Sequence, residues 1–126
     1  MRVVTVRGQL ISEWVKRPHH VYVGRRVYLR AGRNAGHAWL QSALANPFRV
    51  GDVPNPLEAY EEWLREGINR RDPDILAAMN ELTPASVLGC WCCNVETPRT
   101  VSGGAECHAE VIAAIWDEIR KAVARG

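Results

Sequence analysis

The chain has 126 residues, 47% of them hydrophobic and 24% charged, with a formal net charge of +2. That is the composition of one folded domain, residues 1–126, long enough to bury a core without staples. No stretch approaches the roughly 20 apolar residues of a membrane span, and Met1-Arg2-Val3-Val4-Thr5-Val6-Arg7 meets charge too soon for a secretory signal. The expectation is a cytoplasmic protein, in which four cysteines serve as thiols or metal ligands rather than disulfides.

Val3-Val4-Thr5-Val6 is β-branched and predicts the first strand. Leu10 to Val15 fits either a helical turn or the continuation of a hairpin. His19 and His20 follow Pro18 and are expected to face solvent. His20-Val21-Tyr22-Val23-Gly24 and Val27-Tyr28-Leu29-Arg30 carry the next β signal, interrupted at Gly24-Arg25-Arg26 by a turn or bulge. Gly32-Arg33-Asn34-Ala35-Gly36 reads as a polar loop and His37 to Ala45 as a short helix. Asn46-Pro47-Phe48 then forces a turn, since proline disfavours αR at the residue before it.

Asn55-Pro56 and Asp72-Pro73 each pair an N-cap with proline at the first helical position. Leu57, Tyr60, Trp63, Leu64 and Ile68 form a helical stripe after the first; Ile75, Leu76 and Met79 follow the second, and Thr83-Pro84 stops it. Val87-Leu88-Gly89-Cys90-Trp91-Cys92 lacks charge, as a strand buried on both faces would. Asn94 to Gly104 is a polar turn region. A last helix starts near Glu106, with Val111, Ile112, Ile115, Trp116, Ile119 and Val123 facing the core. Together these predict an α/β, Rossmann-like layer fold: one short sheet packed by about three to four helices.

Unusual chemistry concentrates near the end of the chain. On a strand Cys90 and Cys92 point the same way, and Cys107-His108 falls at the first turn of the last helix. Cys90, Cys92, Cys107 and His108 are four S or N donors, the kind of set that holds tetrahedral Zn2+. The bland alternative is a buried core, because unpaired Cys packs as a small hydrophobe. A second candidate joins Gly24, Arg25 and Arg26 to Asn46 and Phe48: glycine admits a ligand to the backbone, and arginine forks onto an anion. Solvated surface arginines are the alternative there. Glu106 and Glu110 are the carboxylates near His108. Of 16 basic residues 14 are Arg, seven of them between Arg2 and Arg33, whereas the acids sit mainly from Glu58 onward.

The order Val21-Tyr22-Val23-Gly24-Arg25, Asn46-Pro47-Phe48, Tyr60…Trp63-Leu64, Leu88-Gly89-Cys90-Trp91-Cys92 and Cys107-His108-Ala109-Glu110-Val111-Ile112 resembles a small bacterial and phage family. That family is domain of unknown function 4326, whose pattern runs V-Y-I-G-R, G-N-P-F, Y-x-x-W-L, L-x-C-W-C and C-H-x-D-V-L. The resemblance spans residues 21 to about 116. It implies that Gly24, Arg25, Asn46, Cys90, Cys92, Cys107 and His108 belong together and that Glu110 holds an acidic position; it implies no activity. Val27 to Ala45 and Cys93 to Glu106 are longer than the pattern, and Ala45 replaces its glycine.

Three functions are consistent with these features. One is a domain binding a phosphate-bearing, nucleotide-like small molecule, with the Gly24-Arg25 turn and the Cys107 helix start holding the anion. Another is a nucleic-acid- or protein-binding module with structural zinc, using the Arg-rich half and the Arg33 loop. The third is a zinc hydrolase or deaminase with an open coordination position.

Overall fold

The computed structural model describes residues 1–48, 51–91, 99–100 and 107–125. The elements run β1 (Arg2–Thr5), α1 (Ile11–Trp14), β2 (His20–Tyr22), β3 (Val27–Tyr28), β4 (Ala38–Trp39), α2 (Pro56–Asn69), α3 (Pro73–Asn80), β5 (Val87–Cys90), β6 (Arg99–Thr100) and α4 (His108–Arg125). The described residues form a small α/β arrangement with four helices. The main sheet has the order β2-β5-β1-β6; β2, β5 and β1 are parallel, and β6 runs antiparallel to β1. Strand β5, buried at all four positions, lies between its two parallel neighbours with Val3 opposite Leu88 and Val21 opposite Leu88.

Side chains alternate across the sheet and divide the core in two. Val3, Val21, Val23, Leu88 and Cys90 pack with Tyr60, Leu64, Ile75, Met79, Ile112 and Ile115 from α2, α3 and α4. Val4, Val6, Tyr22 and Trp91 pack with Ile11, Trp14, Val27, Leu29 and Trp39 on the opposite face. Gly89 turns toward that second cluster, where a Cβ would stand 2.6 Å from both Trp14 and Val6. The helices α2 and α3 start where the Asn-Pro and Asp-Pro signals predict. Asn55 accepts from the Glu58 amide, and Asp72 from those of Asp74 and Ile75.

One open reading is settled and four others are revised. Leu10–Val15 resolves to the single turn α1. The break at Gly24 to Arg26 ends one sheet and starts another: β3 pairs antiparallel with β4 (Val27 opposite Trp39) in a separate two-stranded sheet. His37 to Ala45 is therefore not helical, since Trp39 has to be presented in extended form to reach Trp14 and Tyr22. His20 is only partly exposed and opens β2, where its ring lies 4.4 Å from that of Trp14 and its Nδ1–H donates to the Trp14 carbonyl at 3.0 Å. In α4 the buried stripe ends at Ile115; Ile119 and Val123 are exposed because α4 runs past the sheet. Arg65 of α2 reaches Glu118 across that outer stretch.

Candidate functional site

The three parallel strands end together, and the chain leaves them at Val6-Arg7, Val23-Gly24-Arg25 and Trp91. In open α/β sheets this carboxyl edge is where ligands bind, because the loops there can diverge. Arg7 Nε donates to the Trp91 carbonyl at 3.3 Å, tying the first of these exits to the third.

The second exit is built around Arg25. Its Nε donates to the Asn46 carbonyl at 2.7 Å, and its Nη2 donates to the Phe48 carbonyl. Asn46 Oδ1 in turn accepts from the Phe48 amide at 2.9 Å, closing the Asn-Pro-Phe turn on itself. Two guanidinium donors are thus committed to backbone, and what Arg25 offers a ligand is charge and its remaining N–H groups. Tyr22 supports the turn from beneath, with its hydroxyl donating to the Arg25 carbonyl at 2.6 Å. Gly24 makes room for that ring: a Cβ would stand 2.5 Å from the Tyr22 hydroxyl. Arg26 departs from this cluster and its side chain is exposed.

Beside the turn, α4 begins. Cys90 at the end of β5 and Cys107 just before α4 are both buried, with their sulfurs 3.7 Å apart. That is too long for a disulfide's roughly 2.05 Å, and it closely matches the edge of a tetrahedron with metal–sulfur bonds of about 2.3 Å, an S···S separation of about 3.8 Å. His108 is buried too. Its Nε2 lies 2.7 Å from the Val23 carbonyl, which can only accept, so Nε2 carries the proton and Nδ1 is the acceptor nitrogen. Burial pushes the His108 imidazole below its ordinary range, and Arg25 pushes the same way; the Val23 carbonyl and Cys107 oppose them. A neutral ring held by one N–H on a backbone carbonyl is the usual arrangement of a metal-binding histidine. Tyr60 fixes the other side, its ring 5.3 Å from His108 at 78° and its hydroxyl donating to the Leu44 carbonyl at 2.6 Å.

Of the residues singled out from sequence, Gly24, Arg25, Asn46, Phe48, Cys90, Cys107 and His108 are drawn together by these bonds. Glu110 is buried in the first turn of α4, where the helix dipole favours a carboxylate. Cys92 and Glu106 lie outside the described residues, as does Cys93. Among the described residues no three His, Cys, Asp or Glu side chains gather as a complete metal-binding group. Residue-by-residue reading passed over Tyr22 and Tyr60, which brace the site. Both lie in the motifs that carried the resemblance, and that was the available signal.

Residues 6–118 match the family described as Domain of unknown function (DUF4326). The chain belongs to that family. The DUF4326 match takes in every residue of the cluster from Arg7 to Glu110. No curated relative and no solved structure matches the chain. No helix among the described residues is long and apolar enough to cross a membrane.

Proposed function

We propose that the carboxyl edge of the sheet binds a phosphate-bearing, nucleotide-like small molecule beside a Cys–His centre able to take Zn2+. The observation that carries this reading is the buried Cys90–Cys107 pair at 3.7 Å, set next to a neutral His108 at the exit of three parallel strands. Burying two thiols and an imidazole together at a sheet edge does little for packing that aliphatic side chains would not do better. Such groups collect where chemistry or ligation uses them. Cys90 and Cys107 would supply two of the donors and Cys92, outside the described residues, a third. Cys90, Cys107 and His108 do not close a three-donor group by themselves, so His108 would join as the fourth donor only once an ion draws the loop ends together. The charges of Arg7 and Arg25 flank the same edge and favour an anion.

Two measurements on protein purified without a histidine tag test this. Plasma mass spectrometry with thiol titration is expected to give about one zinc per chain and thiols that react only after chelation. A thermal-shift series with inorganic phosphate, AMP, ADP and ATP at 0.15 M salt should show a rise of several degrees for at least one nucleotide, reduced in Arg7→Gln. Metal-free protein with readily titrating thiols would overturn the zinc centre. No shift with any of the four probes at millimolar concentration would overturn the ligand assignment.

A further inference from the structure

The β3–β4 hairpin carries a second surface, remote from the thiols in role and chemistry. Between Glu13 and Asp52 the sequence contains no acidic residue, yet it holds Lys16, Arg17, Arg25, Arg26, Arg30, Arg33 and Arg49. The structure sorts the hairpin part of this segment by face. Val27 and Leu29 turn inward with Trp39 onto the smaller core, and Arg26, Tyr28 and Arg30 turn outward and are exposed. The ladder continues past the two-residue strands through the Leu29 amide to the His37 carbonyl and the Gly36 amide to the Leu29 carbonyl. In that register Leu40 stands opposite Arg26 on the outward face. Tyr28 is 55% exposed and Leu40 76%.

The backbone beneath these side chains is fixed. Asn34 near the tip donates to the Gln9 carbonyl at 2.7 Å and accepts from the Ile11 amide at 2.9 Å, and Gln41 accepts from the Arg26 amide at 2.9 Å. The outward arginines are not used in this way: among the described residues Arg26, Arg30 and Arg33 form no ion pair. Asp74 and Glu81 line a cleft of about 730 Å3 that Leu40 borders, and so limit the basic face on the β4 side.

We infer that this face binds single-stranded nucleic acid. Arg26 and Arg30 flank Tyr28 at two residues either side, about 7 Å each along a strand. Cation, ring and cation therefore succeed one another as phosphate, base and phosphate do along an extended strand. A stacking ring among arginines is the way sequence-tolerant single-strand binders are built. A paired duplex hides its base faces and would leave Tyr28 and Leu40 without an apolar partner. An acidic protein segment would use the arginines but gain nothing specific from the ring.

Fluorescence anisotropy with a labelled 20-nucleotide mixed-sequence DNA strand tests this on the whole chain. The expected result is binding that weakens with salt at a logarithmic slope of about −0.7 for each phosphate neutralised. Tyr28→Ala should raise Kd roughly 5-fold or more. Arg30→Glu should raise it further and flatten the salt slope, and the charge-matched control Arg70→Glu, at the residue just after α2, should move neither by more than the general loss of positive charge. All three sites are exposed, so unchanged melting temperatures separate lost binding from lost folding. No binding at 50 mM salt overturns the inference. So does tighter binding to the same sequence as a duplex. Displacement by polyglutamate at equal charge, with Tyr28→Ala silent, would show a generic polyanion surface and overturn it as well.

Discussion

A methyl group at position 24 meets the Tyr22 ring. The Cβ of Gly24→Ala would stand 2.5 Å from the hydroxyl and 2.6 Å from the adjoining ring carbon, both far inside contact distance. Since Tyr22 is also stacked on Trp39 at 4.8 Å and bonded to the Arg25 carbonyl, it has little room to yield. Gly24→Ala should therefore cost about 1–3 kcal/mol of overpacking, read as a lower urea midpoint. Adding Tyr22→Ala should recover part of the loss, so the double-mutant cycle should be clearly non-additive. His20 gives a pH dependence. Burial holds its imidazole below the ordinary range, with Arg17 and Arg2 acting the same way and the Trp14 carbonyl opposing. The unfolded chain then takes up the proton first, near pH 6.5. Its contribution is complete above that pH and declines as pH falls toward the lower folded value. Urea midpoints from pH 7.5 to 5 should fall less steeply in His20→Gln than in the wild type. At this scale the sequence marks positions and not the contacts they make. Gly24 and Arg25 were legible as a turn with a charge. That the glycine accommodates a tyrosine, and that the guanidinium clamps two carbonyls more than 20 residues away, depends on contacts no local pattern records.

Helices were the most legible elements, because their signals are local. Asn55 and Asp72 cap the two helices that follow prolines, and each cap replaced by alanine should cost about 0.5–2 kcal/mol, measurable by chemical denaturation. The 3.6-residue stripe of α4 was legible as well, yet periodicity cannot say where the partner surface stops. Ile112 lies under the sheet with no exposure, whereas Val123 is 74% exposed. Ile112→Ala is expected to cost about 2–5 kcal/mol, and Val123→Lys to stay within about 0.5 kcal/mol. Equal losses at the two positions would mean that the outer turns of α4 are covered in solution. The hairpin was the least legible element. Strands of two residues fall below what alternation can signal, and Ala38-Trp39-Leu40 reads as readily helical until Trp39 is seen between Trp14 and Tyr22.

For the whole molecule, the α/β class followed from the order of strand and helix signals, but the strand order could not. Nothing in Val87-Leu88-Gly89-Cys90 says that it lies between β1 and β2. The buried, uncharged character of the segment does require two covered faces, and the central position is one way to provide them. Gly89 is the point at which this arrangement is most exposed to test. Trp14 and Val6 occupy the space a side chain would need, so Gly89→Ala should destabilise by about 1–3 kcal/mol and lower the thermal midpoint.

The middle strand also sets a schedule. Among the described residues β1 and β2 have no parallel neighbour except β5, and the register joins Arg2 to Val87 and His20 to the same residue. A growing polypeptide thus has to hold two apolar segments in waiting, β1 until 85 further residues have emerged and β2 until 67 have. Sequence-distant pairing of this sort slows folding and prolongs exposure of sticky strands. Synthesis itself is the interval in which this small protein would most need a chaperone.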